Sequence, residues 1–266
     1  MRSVLAFLPL LALAACGGDG GNASAPVTSG TPVANIAPPA GKQWVDVVSK
    51  TPEGGYLQGN PAAPIKLLEY GSRSCPTCGR FAMEGVEPLR QKYISTGRVS
   101  YEFRDFLVHG APDLSLALLN QCAPTEAFFP ILDQMFANQE AFYKRTEQLQ
   151  QTNPQALEQL QQLPAPQAAA GFAEALGHIE FMKQRGIPDA RARQCLSDQK
   201  TIEAIAKVNA DATNEHGVSG TPSFFINGKP VEQARLPDFF DRDAMIGKDF
   251  EENAIAVQQV ESGAAT

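Results

Sequence analysis

Two cysteines separated by two residues, Cys75 and Cys78, are the residues of this chain best suited to chemistry. They follow an apolar run, Ile65 to Tyr70, and precede a segment of helical periodicity. The pair therefore sits where a strand gives way to the first turn of a helix. That turn presents unpaired N–H groups and the positive end of the helix dipole. A thiolate at Cys75 is stabilised there, so its pKa is expected below that of a free cysteine. Cys78, one turn on, can close a disulfide back onto Cys75. Pro76 suits the first helical position, because its missing N–H removes one orphan donor. Half of a zinc site is the competing reading, and it needs two further ligands. The remaining cysteines (Cys16, Cys122, Cys195) and the histidines (His109, His178, His216) are scattered singly. The expectation is a redox dithiol that needs no metal and no cofactor beyond its own sulfurs.

The elements that must position this pair read as follows. Gln43 to Val48 and Tyr56-Leu57 are candidate edge strands, and the ordered part is expected to begin near Trp44. Ile65 to Tyr70 is a compact apolar strand, expected at the centre of a sheet. The helix after Cys75 gathers Phe81, Val86, Leu89 and Tyr93 near one face, with a kink at Pro88 and an end at Gly97. Val99 to Val108 is the next strand, which makes a βαβ unit with a parallel pair. Asp113 to about Lys200 reads as helical: Leu114 to Cys122, Glu126 to Ala137, a Gln-rich stretch broken at Pro154, Gln167 to Arg185, and Asp189 to Leu196. The glutamines read as a solvated helix face. A long helix spans Gln199 to about Glu215. A loop, Gly217 to Pro222, leads to a strand, Ser223 to Ile226, and Asn227-Gly228 predicts a type I′ hairpin turn. Val231 falls in the return strand, and a last helix is expected near Leu236.

The chain has 266 residues, 43% of them hydrophobic, and a net charge of −7. That balance, with no Lys/Arg cluster, argues against a nucleic-acid partner. At the N-terminus, Arg2 precedes a short apolar core, Val4 to Ala15, too short to span a bilayer, and this reads as a secretory signal. Leu13-Ala14-Ala15-Cys16 followed by Gly17 resembles the lipobox of bacterial lipoproteins. The resemblance implies lipidation of Cys16 and anchoring through several acyl chains in the cell envelope or periplasm. Cleavage after Ala14 without lipid is the other reading. Gly17 to Gly41, rich in Gly, Pro, Ala and Ser, reads as a tether with a reach of roughly 25–30 Å. One lipidated cysteine and one redox pair leave Cys122 and Cys195. In an exported protein they are expected to bond to each other. Two buried free thiols, or a second redox pair, are the alternatives.

These features together resemble the DsbA-like branch of the thioredoxin superfamily. The resemblance rests on the strand Ile65 to Tyr70, the Cys75-Pro76-Thr77-Cys78 dithiol, the helix carrying Pro88 and the strand Tyr101 to Phe106. It rests further on a helical insertion and on the run Gly217 to Gly228. It implies an α/β thioredoxin fold with a helical domain inserted in its middle. Along the chain this gives a signal peptide over 1–15, the lipidated cysteine and tether over 16–41, and the first part of the thioredoxin domain over 42–111. The inserted helical domain follows over 112–200, then the second part of the thioredoxin domain over 201–250 and a tail over 251–266. The likeness also implies a cis Thr221–Pro222 bond facing the dithiol. Pro76, Thr77, Thr221 and Pro222 are thereby expected against substrate, with the Thr221 backbone pairing to an extended segment. Glu69 matches an acid that related proteins bury behind the second cysteine; an exposed strand-end carboxylate is the alternative.

The activity implied is thiol–disulfide exchange on exported proteins that carry cysteines, with a separate redox partner to restore the dithiol or disulfide. Thr77 stands where the most oxidising relatives have histidine, and its hydroxyl carries no charge. A milder disulfide donor is therefore expected, with reductase or isomerase activity as the alternatives. A zinc-binding module or a non-catalytic lipoprotein adaptor are the non-redox readings. Arg73 and Arg80 are candidates to supply positive field at the thiolate, with solvated charges as the plainer expectation. His109 reads as a loop residue or a groove-lining one, and His178 and His216 as structural or exposed.

Overall fold

The structure is a computed structural model, which describes residues 35–231. Six strands form one sheet in the order β1-β2-β4-β3-β5-β6. They are β1 (Val48–Lys50), β2 (Tyr56–Gly59), β3 (Ile65–Gly71), β4 (Val99–Asp105), β5 (Ser223–Ile226) and β6 (Lys229–Pro230). β3 lies at the centre because both of its faces are apolar. Ile65 and Leu67 join the core on one side, and Tyr70 and Leu68 join that on the other. It pairs parallel to β4 from Ile65↔Val99 to Gly71↔Asp105, and antiparallel to β5 from Leu67↔Ile226 to Tyr70↔Ser223.

Several local expectations are corrected. Trp44–Asp46 is a turn of 3-10 helix, and the first strand starts only at Val48. β2 is interior, paired with both β1 and β4. β4 stops at Asp105, short of Val108. The body also begins upstream of Trp44: the Ile36 amide donates to the Thr96 carbonyl at 2.9 Å, and the Trp44 indole donates to the Ile36 carbonyl at 2.7 Å.

The helix after the dithiol is two helices, α1 (Pro76–Glu84) and α2 (Val86–Lys92), with the break at Gly85 and not at Pro88. Pro88 then lies in the first turn of α2, where an N–H has no intrahelical acceptor to lose. Gly85 is the residue that can turn there, since a Cβ would meet the Phe81 ring at 2.6 Å. Gly97, with φ +74°, ends the short 3-10 turn that follows.

Between β4 and the helix that resumes the sheet domain lie α3 (Ala111–Gln121), α4 (Phe128–Ala137), α5 (Gln139–Thr152), α6 (Pro154–Gln162), α7 (Ala165–Ala175), α8 (His178–Lys183) and α9 (Asp189–Leu196). They carry their own core, which includes Leu118, Met135, Ala169, Phe181 and Met182. The expected helix from Gln167 to Arg185 is broken at Gly177, whose φ of +74° is left-handed; the Arg145 guanidinium fills the space of a side chain there as it donates to the Leu176 carbonyl at 2.9 Å. A disulfide joins Cys122, at the end of α3, to Cys195 in α9. α4 serves both cores: Phe128, Phe129, Leu132 and Phe136 pack on the sheet side, while Ile131 and Met135 face the helical domain. This spacing of three and four residues divides one helix between two bodies and fixes one against the other.

α10 (Gln199–His216) covers the opposite sheet face through Val208 and Ala212. The hairpin turn has Asn227 at φ 49° and Gly228 at φ 78°, as a type I′ turn requires. The return strand is Lys229–Pro230, with Val231 just beyond it. The signal segment, Cys16, most of the tether, the helix near Leu236 and the tail lie outside the described residues.

Candidate active site

The chain leaves β3 through Ser72-Arg73-Ser74 and enters α1 at Cys75, which takes the N-cap position with φ −80° and ψ 120°. Its sulfur accepts the Cys78 amide at 3.5 Å and lies 3.2 Å from the Thr221 carbonyl. Cys75 is 8% exposed and Cys78 is fully buried, so an incoming group reaches the first sulfur only. Both are free thiols. Thr221–Pro222 is a cis peptide bond, which turns the Thr221 carbonyl onto the Cys75 sulfur. Pro76 is exposed at the first position of α1, and Thr77 is half-buried behind it.

The two sulfurs differ in acidity because their surroundings differ. Hydrogen bonding from the Cys78 side chain, then from the Thr221 side chain and the Cys78 and Thr77 amides, outweighs burial and holds the Cys75 pKa down to about 5. Burial first, then the Cys75 hydrogen bond and the Glu69 charge, pushes Cys78 well above the ordinary thiol range. Glu69 is 1% exposed on the same face of β3, and Tyr101 on β4 donates to its Oε2 at 2.5 Å. Burial raises its pKa to about 8 against the hydrogen bonds from Tyr101 and Cys78, so at neutral pH it holds a proton beside the sulfurs. Gly71 makes the room: a Cβ there would lie 2.8 Å from Glu69 Oε1 and 2.4 Å from the Phe103 ring.

A pH dependence follows from the acidity of Cys75. A folded pKa of about 5 against an ordinary value of 9.0 stabilises the reduced fold fully above pH 9, and this is lost as pH falls toward 5. The denaturation midpoint of reduced protein, relative to oxidised protein, is expected to rise from pH 5 to pH 9. Alkylation of Cys75 should show its half-maximal rate near pH 5; a midpoint in the range of free cysteine would contradict the described geometry.

Arg73 is not solvated. It is among the largest fully buried side chains of the described residues, paired with Asp105 at the end of β4, and its guanidinium lies over the rings of Phe103 (5.3 Å) and Phe128 (5.8 Å). Gln121 also donates to Asp105, at 2.9 Å. A charge this deep needs such partners, and here they tie the dithiol loop to β4 and α3. Arg80 is exposed. His109 lies at the rim, its Nδ1 2.5 Å from Ser74 Oγ, and is mostly solvent-exposed. His178 is buried against Ser115 in the helical domain, and burial lowers its pKa to about 3.

Four residues at the site carry no signal in the sequence. Asp113, buried at the start of α3, accepts from Ser72 Oγ (2.9 Å), the Ser74 amide (3.2 Å) and the His109 amide (2.9 Å). Tyr101 reads as one more apolar strand residue. Gln139 and Tyr143 fall in the region that reads only as helical, yet both hydrogen-bond to the backbone of the dithiol loop.

Comparison with known proteins agrees with this fold. A family model described as thioredoxin matches residues 51–242. A protein of Rickettsia bellii named "Putative protein-disulfide oxidoreductase" is 25% identical over 186 residues, covering 70% of this chain and 62% of that protein. The chain spans about three fifths of the length of the curated Rickettsia relatives it matches. Among solved structures, a protein-disulfide isomerase from Novosphingobium aromaticivorans aligns with a TM-score of 0.63 and 27% identity, over 71% of this chain and 96% of that one. Wolbachia pipientis alpha-DsbA1 aligns with a TM-score of 0.53 and 23% identity, over 76% of this chain and 93% of that one.

Proposed function

This chain belongs to the thioredoxin family and has the fold of the DsbA structures, with a helical domain inserted between β4 and α10; from that premise we propose that it is a thiol–disulfide oxidoreductase that donates the Cys75–Cys78 disulfide to exported proteins. The observation that carries this reading is the asymmetry of the two sulfurs. Cys75 is reachable and acidic, and Cys78 is buried and held protonated.

In the oxidised protein a substrate thiolate attacks Cys75 Sγ. The Cys75–Cys78 bond breaks, a mixed disulfide forms at Cys75, and Cys78 takes the electron pair. Cys78 is a poor leaving group unless it is protonated, and Glu69 is placed to deliver that proton. A second substrate thiolate then attacks the substrate sulfur. Cys75 leaves as its stabilised thiolate, the substrate departs oxidised, and the two electrons remain on the dithiol. A redox partner must then remove them. The Thr221 carbonyl, the exposed Pro76 and the half-buried Thr77 are the groups offered to an extended substrate segment.

Replacing Glu69 by glutamine is expected to slow mixed-disulfide formation on the order of 10²-fold. Its effect on stability has the opposite sign. A carboxyl raised from 4.5 to about 8 costs folding free energy increasingly as pH climbs through that window. The thermal midpoint of the glutamine variant should therefore gain on wild type between pH 4.5 and pH 8.

Export with lipidation at Cys16 belongs to the same proposal, supported by the Leu13–Cys16 pattern and by a second disulfide, which persists in oxidising compartments. Mass spectrometry of the mature N-terminus tests the anchor. The activity is tested by adding catalytic protein to reduced, unfolded ribonuclease and by equilibrating the dithiol against glutathione. Ribonuclease recovery with a potential between about −120 and −180 mV supports a donor; a value near −270 mV reverses the direction. Tight zinc binding with inert thiols removes the redox reading altogether.

A further inference from the structure

Four consecutive carbonyls, Ser72 to Cys75, lead into the dithiol helix, and each has a donor. Ser72 accepts the Cys75 amide at 3.1 Å, and Cys75 accepts the Gly79 amide at 3.0 Å. The other donors come from the inserted helical domain. Gln139 Nε2 donates to the Arg73 and Cys75 carbonyls, each at 2.9 Å, and the Tyr143 hydroxyl donates to the Ser74 carbonyl. Gln139 and Tyr143 stand four residues apart on α5, so one helix face supplies both. Between them on that helix, Phe142 is buried in the helical domain against the rings of His178 (4.7 Å) and Phe181 (5.3 Å). The face that holds the loop is therefore fixed by its own core.

We propose that Gln139 and Tyr143 are a clamp through which the helical domain sets the position, and hence the reactivity, of the Cys75 sulfur. A held carbonyl fixes its whole peptide plane. Three successive planes, from Arg73 to Pro76, are held, so the dihedrals of Ser74 and Cys75 are restrained. The Cα–Cβ bond of Cys75 is then aimed at the Thr77 and Cys78 amides and at Thr221. Gly79 supplies an independent sign of this arrangement. A Cβ at that position would lie 2.7 Å from Gln139 Oε1, so the glycine after the dithiol admits the glutamine against the first turn of α1. Tyr143 also lies close enough for the Cys75 charge to raise its pKa, with burial contributing most. Both side chains act through the backbone, as positioning residues.

The clamp deepens the proposed function and rests on it; its test reads Cys75 directly and not turnover. The thiolate pKa is measured in the reduced protein from the pH dependence of alkylation, with the thermal midpoint alongside. The variants are Gln139→Leu, Tyr143→Phe and Gly79→Ala, with Gln150→Leu, exposed and two turns beyond Tyr143 on α5, as control. Each of the three is expected to raise the Cys75 pKa by about 0.5–1 unit, a three- to tenfold loss in acid dissociation constant, the scale of one misaligned hydrogen bond. The control should match wild type. Folded Gln139→Leu and Tyr143→Phe variants that titrate within about 0.2 unit of wild type overturn the clamp alone. A lower thermal midpoint without a pKa change means the contacts are merely structural, and also overturns it. Should Gln139→Leu fail to fold, Tyr143→Phe, which loses one oxygen, decides the question. A wild-type Cys75 that titrates like free cysteine overturns the functional reading and the clamp with it.

Discussion

Replacing Cys75 by serine is expected to reduce oxidative folding of ribonuclease to the uncatalysed rate, a loss of about 10³-fold or more. Cys78 cannot take over. Cys78 is fully buried beneath Cys75, and its thiol is pushed well above the ordinary range, so it can neither meet a substrate nor ionise near neutral pH. The acidity of Cys75 also sets the size of the effect. At a pKa of about 5 it is almost wholly thiolate at pH 7, whereas a free cysteine is only a few per cent ionised. A stable thiolate is a weaker nucleophile but a better leaving group, and that asymmetry favours release of an oxidised substrate. Cys78→Ser should behave differently: a substrate disulfide attacked by Cys75 stays trapped as a mixed disulfide, visible by mass. Residual catalysis in Cys75→Ser, or trapping at Cys78 in that variant, would reverse the roles given to the two sulfurs.

Replacing Cys122 and Cys195 together by alanine is expected to cost about 4 kcal/mol of stability in the chain-entropy description, since the bond closes a loop with a sequence separation of 73. For a domain of this size that lowers the thermal midpoint on the order of 10 °C. The bond closes the helical domain by tying the end of α3 to α9, with Cα atoms 5.8 Å apart. α3 in turn carries Asp113, which holds the dithiol loop, and Gln121, which supports the Arg73–Asp105 pair. Loss of the disulfide should therefore loosen the active-site loop as well as the insert. Denaturant unfolding of the double variant with the dithiol kept reduced measures the first effect. A change below about 1 kcal/mol would mean that the unfolded chain is not constrained as the loop length implies.

Much of the site was legible along the chain because its main parts are local. A strand, two cysteines one turn apart and a proline at the first helical position lie within fourteen residues of one another, from Ile65 to Cys78. The hairpin turn is equally local, since Asn227 and Gly228 both take positive φ. Where local rules compete, one overrides another: Pro88 predicts a kinked helix, but Gly85 already ends it, and Phe81 leaves only a glycine room to do so. Arg73 reads as a solvated charge until Asp105, Phe103 and Phe128 come from other elements to enclose it.

The sequence by itself determined which atoms do the chemistry and the kind of fold that carries them, through spacings of two to four residues that backbone geometry converts into shared faces and caps. Only the tertiary structure decided how those atoms are held. Glu69 is buried by its neighbours on β4, Thr221 meets a sulfur 146 positions away, and Gln139 reaches the loop from 64 and 66 positions on. Contacts at such separation leave no period in the chain, because they are made by packing whole elements together and not by the repeat of any one of them.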